Sequence, residues 1–208
     1  MTIKKIIVIF LPVLVIWVLY RYFFVLPEWF DEILIKPLVF VLIPLNLSHM
    51  RRLPGFEKKG NVINDILLGT GLAFFFAFAA LYANIQKYGV FTSEPLLPLA
   101  GGGLIFYLFL SLITSFSEEV FGRGMLFTTL KEKWGVGQSA ILSSVLMLTL
   151  YIPIVFTQLN LSGPTLIVYF SSVFLLSIVN CFIYENRKSL ILPILIHTFW
   201  NMSVALFI

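Results

Sequence analysis

The sequence predicts an all-α, polytopic transmembrane helix bundle of about seven spans, with its N-terminus on the cytoplasmic side. Three observations predict it. Of the 208 residues, 60% are hydrophobic and only 12% are charged, and the mean hydropathy is +1.00. A soluble domain carries about 25% charged residues, so a chain this apolar would aggregate in water and reads as one whose solvent is lipid. Apolar runs recur at the length a span requires, roughly 20 residues. The basic residues fall mainly in alternate loops.

Seven candidate spans follow in order, at residues 5–25, 29–48, 62–84, 97–130, 137–158, 164–184 and 189–208. The first opens on Lys4 and Lys5, ends near Arg21 and lacks a small-residue cleavage site, so it reads as a retained span rather than a signal peptide. The second is the weakest. Glu28, Asp31, Glu32 and Lys36 make its start amphipathic, and it is expected to lie partly in the interface. The fourth is too long for one straight span, and starting at the interface, tilting, or breaking near Gly122 and Gly124 would each accommodate it. The remaining segments are predominantly apolar and of spanning length. The aromatic content of 16%, with 22 Phe, suits lipid-facing helices and interfacial belts.

With the N-terminus inside, the inside segments hold ten basic residues: Lys4, Lys5, Arg51, Arg52, Lys58, Lys59, Lys131, Lys133, Arg187 and Lys188. The outside segments hold three, Arg21, Lys36 and Lys87. This asymmetry sets the orientation. No Gly/Ser linker or charged tail marks a second domain, so residues 1–208 read as a single membrane domain. There is no clear internal repeat of the kind transporters use. The net charge of +4 comes without a basic cluster interleaved with aromatics, which argues against a nucleic-acid partner. Cys181, the single cysteine, excludes an internal disulfide and reads as a small buried residue. With two histidines and no HExxH or CxxC, neither a metal nor another cofactor is expected.

The fourth segment carries residues that lipid should exclude: Ser117-Glu118-Glu119-Val120-Phe121-Gly122-Arg123-Gly124 between apolar flanks. Counting back from Lys131 at ~1.5 Å per residue places Glu118 roughly 20 Å from the inside face, well within a ~30 Å hydrocarbon core. A charge near the bilayer centre costs about 2.5–3.5 kcal/mol or more. Glu119 and Arg123 are four apart and share a helical face, so they can pair. Glu118 lies about 100° round the helix and has no local partner. Burial disfavours the charged form of such a group, which suits a general base working near neutral pH. A structural ion-pair site and a proton relay remain alternatives, since intramembrane acids serve both.

The last segment adds His197 and Asn201, four apart on one face, with His197 roughly 14 Å from the inside face counted from Lys188. Alone the pair would serve equally as an interhelical hydrogen-bond device. Beside a buried glutamate pair at similar depth, a joint site is favoured. Imidazole can move protons or hold a polarised water, and an amide can donate to a developing oxyanion. His49, beside Arg51 and Arg52, reads as a solvated loop residue.

Taken together, Glu118-Glu119-x-x-x-Arg123-Gly124 followed by His197-x-x-x-Asn201 resembles the CPBP family of glutamic-type intramembrane proteases. That family includes the CAAX prenyl proteases of the Rce1 type and bacterial Abi proteins. The resemblance covers about residues 97–208, and the approach from Ser189 through Pro193 to His197 fits it too. A third family motif, Phe-x-x-x-His, falls on Met147 and Tyr151. Tyr151 thus stands where the family has a water-binding histidine. Phenol has an ordinary pKa of about 10 and is a poor base at neutral pH.

The resemblance implies a metal-free endopeptidase acting on a membrane-embedded or lipidated substrate, in a multi-pass protein of a prokaryotic plasma membrane. Glu118 would deprotonate the attacking water. His197 and Asn201 would position it and stabilise the oxyanion, Glu119 and Arg123 would hold the helix and tune Glu118, and Tyr151 would orient water. The alternative implied by Tyr151 is a weak or inactive member serving as a membrane scaffold or immunity-type partner. A proton-coupled transporter is disfavoured by the short chain and the lack of repeats.

Overall fold

The computed structural model describes residues 2–24, 26–48, 62–88, 103–155 and 163–207. Among them every regular element is helical: α1 (Thr2–Phe23), α2 (Glu28–Phe30), π1 (Asp31–Ile35), π2 (Leu38–Leu42), α3 (Ile43–Ser48), α4 (Val62–Tyr88), α5 (Gly103–Glu119), π3 (Val120–Phe127), α6 (Thr128–Ile154), α7 (Gly163–Arg187) and α8 (Ile191–Phe207). The expected helical segments are present, the second as the run from α2 to α3. His49 and the basic residues Arg51, Arg52, Lys58 and Lys59 lie outside the described residues, as do the ends of several expected spans.

Among the described residues, three stretches are each long and apolar enough to cross a bilayer: Lys4–Phe23, Gly103–Ile154 and Leu166–Arg187. Val62–Phe78 and Ile191–Val204 are shorter apolar helices. On α1, Ile7, Leu11, Val15 and Leu19 recur every fourth residue and are exposed, while Val13 and Trp17 on another face are fully buried. Leu67, Phe74 and Phe78 on α4 and Ile167, Val168 and Leu175 on α7 are exposed in the same way. In water such faces would drive aggregation; in lipid they meet a matching solvent. This is an integral membrane protein.

The long fourth segment does not break at Gly122 and Gly124. It continues through them as π3, whose wider turns keep the backbone hydrogen-bonded inside the helix, as lipid demands. The first non-helical backbone comes past its end, at Gly135, between the fourth and fifth expected segments, with φ 71° and ψ −178°. That region is open essentially to glycine alone, so the chain turns there. Gly122 consequently faces Met147 across the turn, so close that a Cβ would sit 3.2 Å from the Met147 sulfur. The same hairpin register sets Tyr151 opposite Glu118.

The start of the second segment differs from the expected interfacial helix. Asp31, Glu32 and Lys36 are buried, at 1%, 8% and 4% exposure. Asp31 pairs with Arg21 of α1, and Glu32 pairs with Lys36. Hydropathy sees only that these charges are present; each has an oppositely charged partner, so the face turns inward. Behind it, Trp17, Phe40 and Phe121 form an aromatic core with centroid separations of 5.1 and 5.7 Å. The Trp17 indole N–H donates to the Leu150 carbonyl at 3.0 Å, tying α1 to α6.

Helix α8 packs against α4, α5 and α7. Its approach to α4 depends on Gly69, where an added Cβ would lie 2.9 Å from the Leu195 Cβ. Small residues permit this kind of close helix contact in membranes. Gly69→Val is therefore expected to cost about 1–3 kcal/mol by overpacking. The measurement is thermal unfolding in detergent, and Leu195→Ala should return part of the loss.

Candidate active site

Two antiparallel registers assemble the site. Across the Gly135 turn, α6 brings Tyr151 to Glu118 at the end of α5. Across the α5–α8 contact, His197 meets Glu119 and Asn201 meets Ser115. Both pairs belong to one register, since each step of four along α8 is matched by four back along α5. Helix α7 joins α8 through a short turn in which Lys188 takes a positive φ of 54°, and this sets Asn180 against both Glu119 and the start of α8.

Glu118 is buried, at 2% exposure. The sequence offers it no partner within a helical turn, but the fold supplies one from far away. The Lys36 ammonium donates to Glu118 Oε1 at 3.0 Å across a separation of 82 residues. The Tyr151 hydroxyl donates to Oε2. His197 Nε2 stands 3.7 Å from the same Oε2, beyond a direct hydrogen bond. Both oxygens of Glu118 thus carry protein donors.

Glu119 is fully buried and binds three groups. His197 Nδ1 lies 2.9 Å from its Oε1, and Asn180 Nδ2 donates to the same oxygen at 3.0 Å. Arg123 Nε lies 3.0 Å from Oε2, the four-apart pair the sequence predicts. The angle there falls outside hydrogen-bond alignment, so this contact is charge pairing rather than a directed bond. With Glu119 ionised, Nδ1 of a neutral His197 is the protonated nitrogen, and Nε2 turns its lone pair towards Glu118. Glu119 therefore orients the imidazole as well as pairing with Arg123.

Asn201 is not gathered in with these groups. Its amide donates to Ser115 Oγ at 3.3 Å, one helical turn, ~6 Å, along from the His197–Glu119 contact. Sequence reasoning missed three participants: Lys36, Glu32 and Asn180. Asn180 interrupts the apolar run of α7 and is fully buried. The reasoning that singled out His197 on α8 applies equally to it. The Glu32–Lys36 pair has the four-residue spacing that gave away Glu119–Arg123. Among the described residues, no three of His, Cys, Asp and Glu are arranged to hold a metal ion.

Inside the apolar bundle there is thus a buried pair of carboxylates, with an imidazole that contacts one through Nδ1 and faces the other through Nε2. The type II CAAX prenyl endopeptidase Rce1-like family matches residues 100–203, and the chain belongs to that family. The match takes in Glu118, Glu119, Arg123, Tyr151, Asn180, His197 and Asn201, and leaves out Glu32 and Lys36. No curated protein and no solved structure matches the chain.

Asn180 Nδ2 also reaches the Pro193 carbonyl at 3.3 Å, so one amide joins α7, α8 and Glu119. Asn180→Ala is expected to destabilise the protein by about 1–3 kcal/mol, the cost of leaving a buried acceptor short of a donor. Denaturation of Asn180→Ala, Glu119→Gln and the double variant checks it. The two losses should fail to add, as for residues in contact.

Proposed function

We propose that the protein is an intramembrane endopeptidase in which Glu118 activates water to hydrolyse a peptide bond in a membrane-embedded or lipidated substrate. The observation that carries the reading is the approach of His197 Nε2 to Glu118 Oε2, 3.7 Å apart, with the imidazole oriented by Glu119. A water bound between these two atoms would give its proton to Glu118 while its oxygen attacks the substrate carbonyl. The tetrahedral intermediate then collapses as the C–N bond breaks, and Glu118 returns the proton to the leaving amine. General base catalysis of this kind contributes about 10²–10⁴-fold.

Donors for the oxyanion differ from those implied by the family motif. Asn201 is engaged with Ser115, whereas the Tyr151 hydroxyl already points into the site. Once water and substrate enter, Tyr151 is the donor placed to meet the developing charge. We also propose a cytoplasmic N-terminus in a prokaryotic plasma membrane. The ten-to-three basic asymmetry supports it. So does the burial of Arg21 and Lys36, which removes two of the three outside residues from the tally of loop charges.

One observation favours a second reading, a non-hydrolytic family member serving as a scaffold or immunity-type partner. Protein donors occupy both Glu118 oxygens, and Tyr151 fills the family's histidine position. A cleavage screen of membrane peptides separates the two. In the endopeptidase, Glu118→Gln lowers cleavage by about 10²-fold or more while the protein still folds, and Tyr151→His keeps or raises it. If wild type cleaves nothing and only Tyr151→His is active, the second reading stands.

A further inference from the structure

The family match begins at residue 100, yet the partner of Glu118 comes from the N-terminal part of the chain. Lys36 immediately follows π1 and is 4% exposed. Its ammonium lies 2.9 Å from Glu32 Oε2 and 3.0 Å from Glu118 Oε1. Glu32 is held in turn by the Thr114 hydroxyl. Glu32 and Lys36 are four apart on their helix, as are Thr114 and Glu118 on α5, and both cross-links span 82 residues. The two segments thus run side by side and are joined by a two-rung polar ladder whose upper rung ends on Glu118.

A structural ion pair would not need this placement. Buried pairs recover little net energy after desolvation, and apolar residues of similar size often replace them without loss. Here the cation is set on the carboxylate that must be ionised to accept a proton from water. Without a cation beside it, that charge would be costly in lipid. The other groups facing Glu118 cannot substitute: the Tyr151 hydroxyl is a neutral donor, His197 is engaged through Nδ1 by Glu119, and Arg123 is paired with Glu119.

We propose that Lys36 is a positioning residue of the active site, clamped by Glu32 so that it keeps Glu118 ionised and aimed at His197. The working site then spans both halves of the chain, and the family-matched half is incomplete alone. This rests on the reading of Glu118 as the water-activating base.

The test compares purified full-length wild type with Lys36→Met, Lys36→Arg and Glu118→Gln in two measurements. In steady-state cleavage, Lys36→Met should lower kcat by about 10²-fold, the scale of a misplaced catalytic group, with KM nearly unchanged. Lys36→Arg should recover much of that loss. In infrared difference spectra, wild type should show no protonated-carboxyl C=O band that Glu118→Gln removes, whereas Lys36→Met should show one. If Lys36→Met does not stay monodisperse in detergent, Lys36→Gln, which keeps a donor and drops the charge, takes its place in both measurements. If wild type cleaves nothing, the endopeptidase reading fails by itself, and the infrared comparison still decides the role of Lys36. Ionised Glu118 in Lys36→Met, or cleavage by that variant at the wild-type rate, overturns the proposal.

Discussion

Charge inside lipid has to be neutralised by the bundle itself, and that constraint organises this structure. Removing an ion from water costs several kcal/mol even after relaxation, and stranding one member of a buried pair costs about 3–5 kcal/mol. Arg21 is accordingly set against Asp31, Lys36 between Glu32 and Glu118, Arg123 against Glu119, and Arg187 beside the fully buried Asp65 at 3.5 Å. These pairs tie α1 to π1, π1 to α5 and α7 to α4. Apolar packing in a membrane gives little preference for one helix arrangement over another, because lipid tails are as apolar as leucine. Polar pairing therefore does much of the specifying here, and the aromatic stack of Trp17, Phe40 and Phe121 fills the space beside it.

The positions of the paired groups follow from backbone geometry. Gly135 lets a long helical stretch fold back, and the register of that hairpin fixes which α6 residue faces Glu118. The π3 turns come directly after the glutamate pair. They change the angular advance of the helix without opening its hydrogen bonds, so Arg123 still reaches back to Glu119 while Gly122 lies close against Met147. On the other side, the short α7–α8 turn lets Asn180 hold Glu119 and the Pro193 carbonyl together.

Much of this was legible in the sequence. Hydropathy located the helices, because each span must satisfy its own backbone and face lipid. The four-residue spacing of Glu119 and Arg123 predicted their contact, and depth counting put His197 near the glutamates. Less legible was the direction each side chain faces. Depth along a helix can be counted, but rotation about it depends on neighbours distant in sequence. Glu32 and Lys36 thus read as an interfacial face until the fold set them against Thr114 and Glu118. Asn201 shares a face with His197, yet the antiparallel register moves it a turn away, onto Ser115. Family resemblance covered only the half containing the motifs, so it held no information about Lys36.

The charge count of the central cluster bears on how such a site would work. Three carboxylates, Glu32, Glu118 and Glu119, are joined by ion pairs to two permanent cations, Lys36 and Arg123. A net negative charge in hydrocarbon is costly, and each carboxylate also takes a neutral donor: the Thr114 hydroxyl on Glu32, the Tyr151 hydroxyl on Glu118 and the Asn180 amide on Glu119. Hydrolysis moves one proton from water to the leaving amine and leaves the cluster's total charge unchanged. The Tyr151 hydroxyl covers Glu118 Oε2 in this arrangement. Its ring packs on Tyr169, which packs on Trp200 beside His197, with centroids 6.5, 6.5 and 6.3 Å apart. The arc joins α6, α7 and α8 around Tyr151 and His197, the two side chains that face Glu118 Oε2.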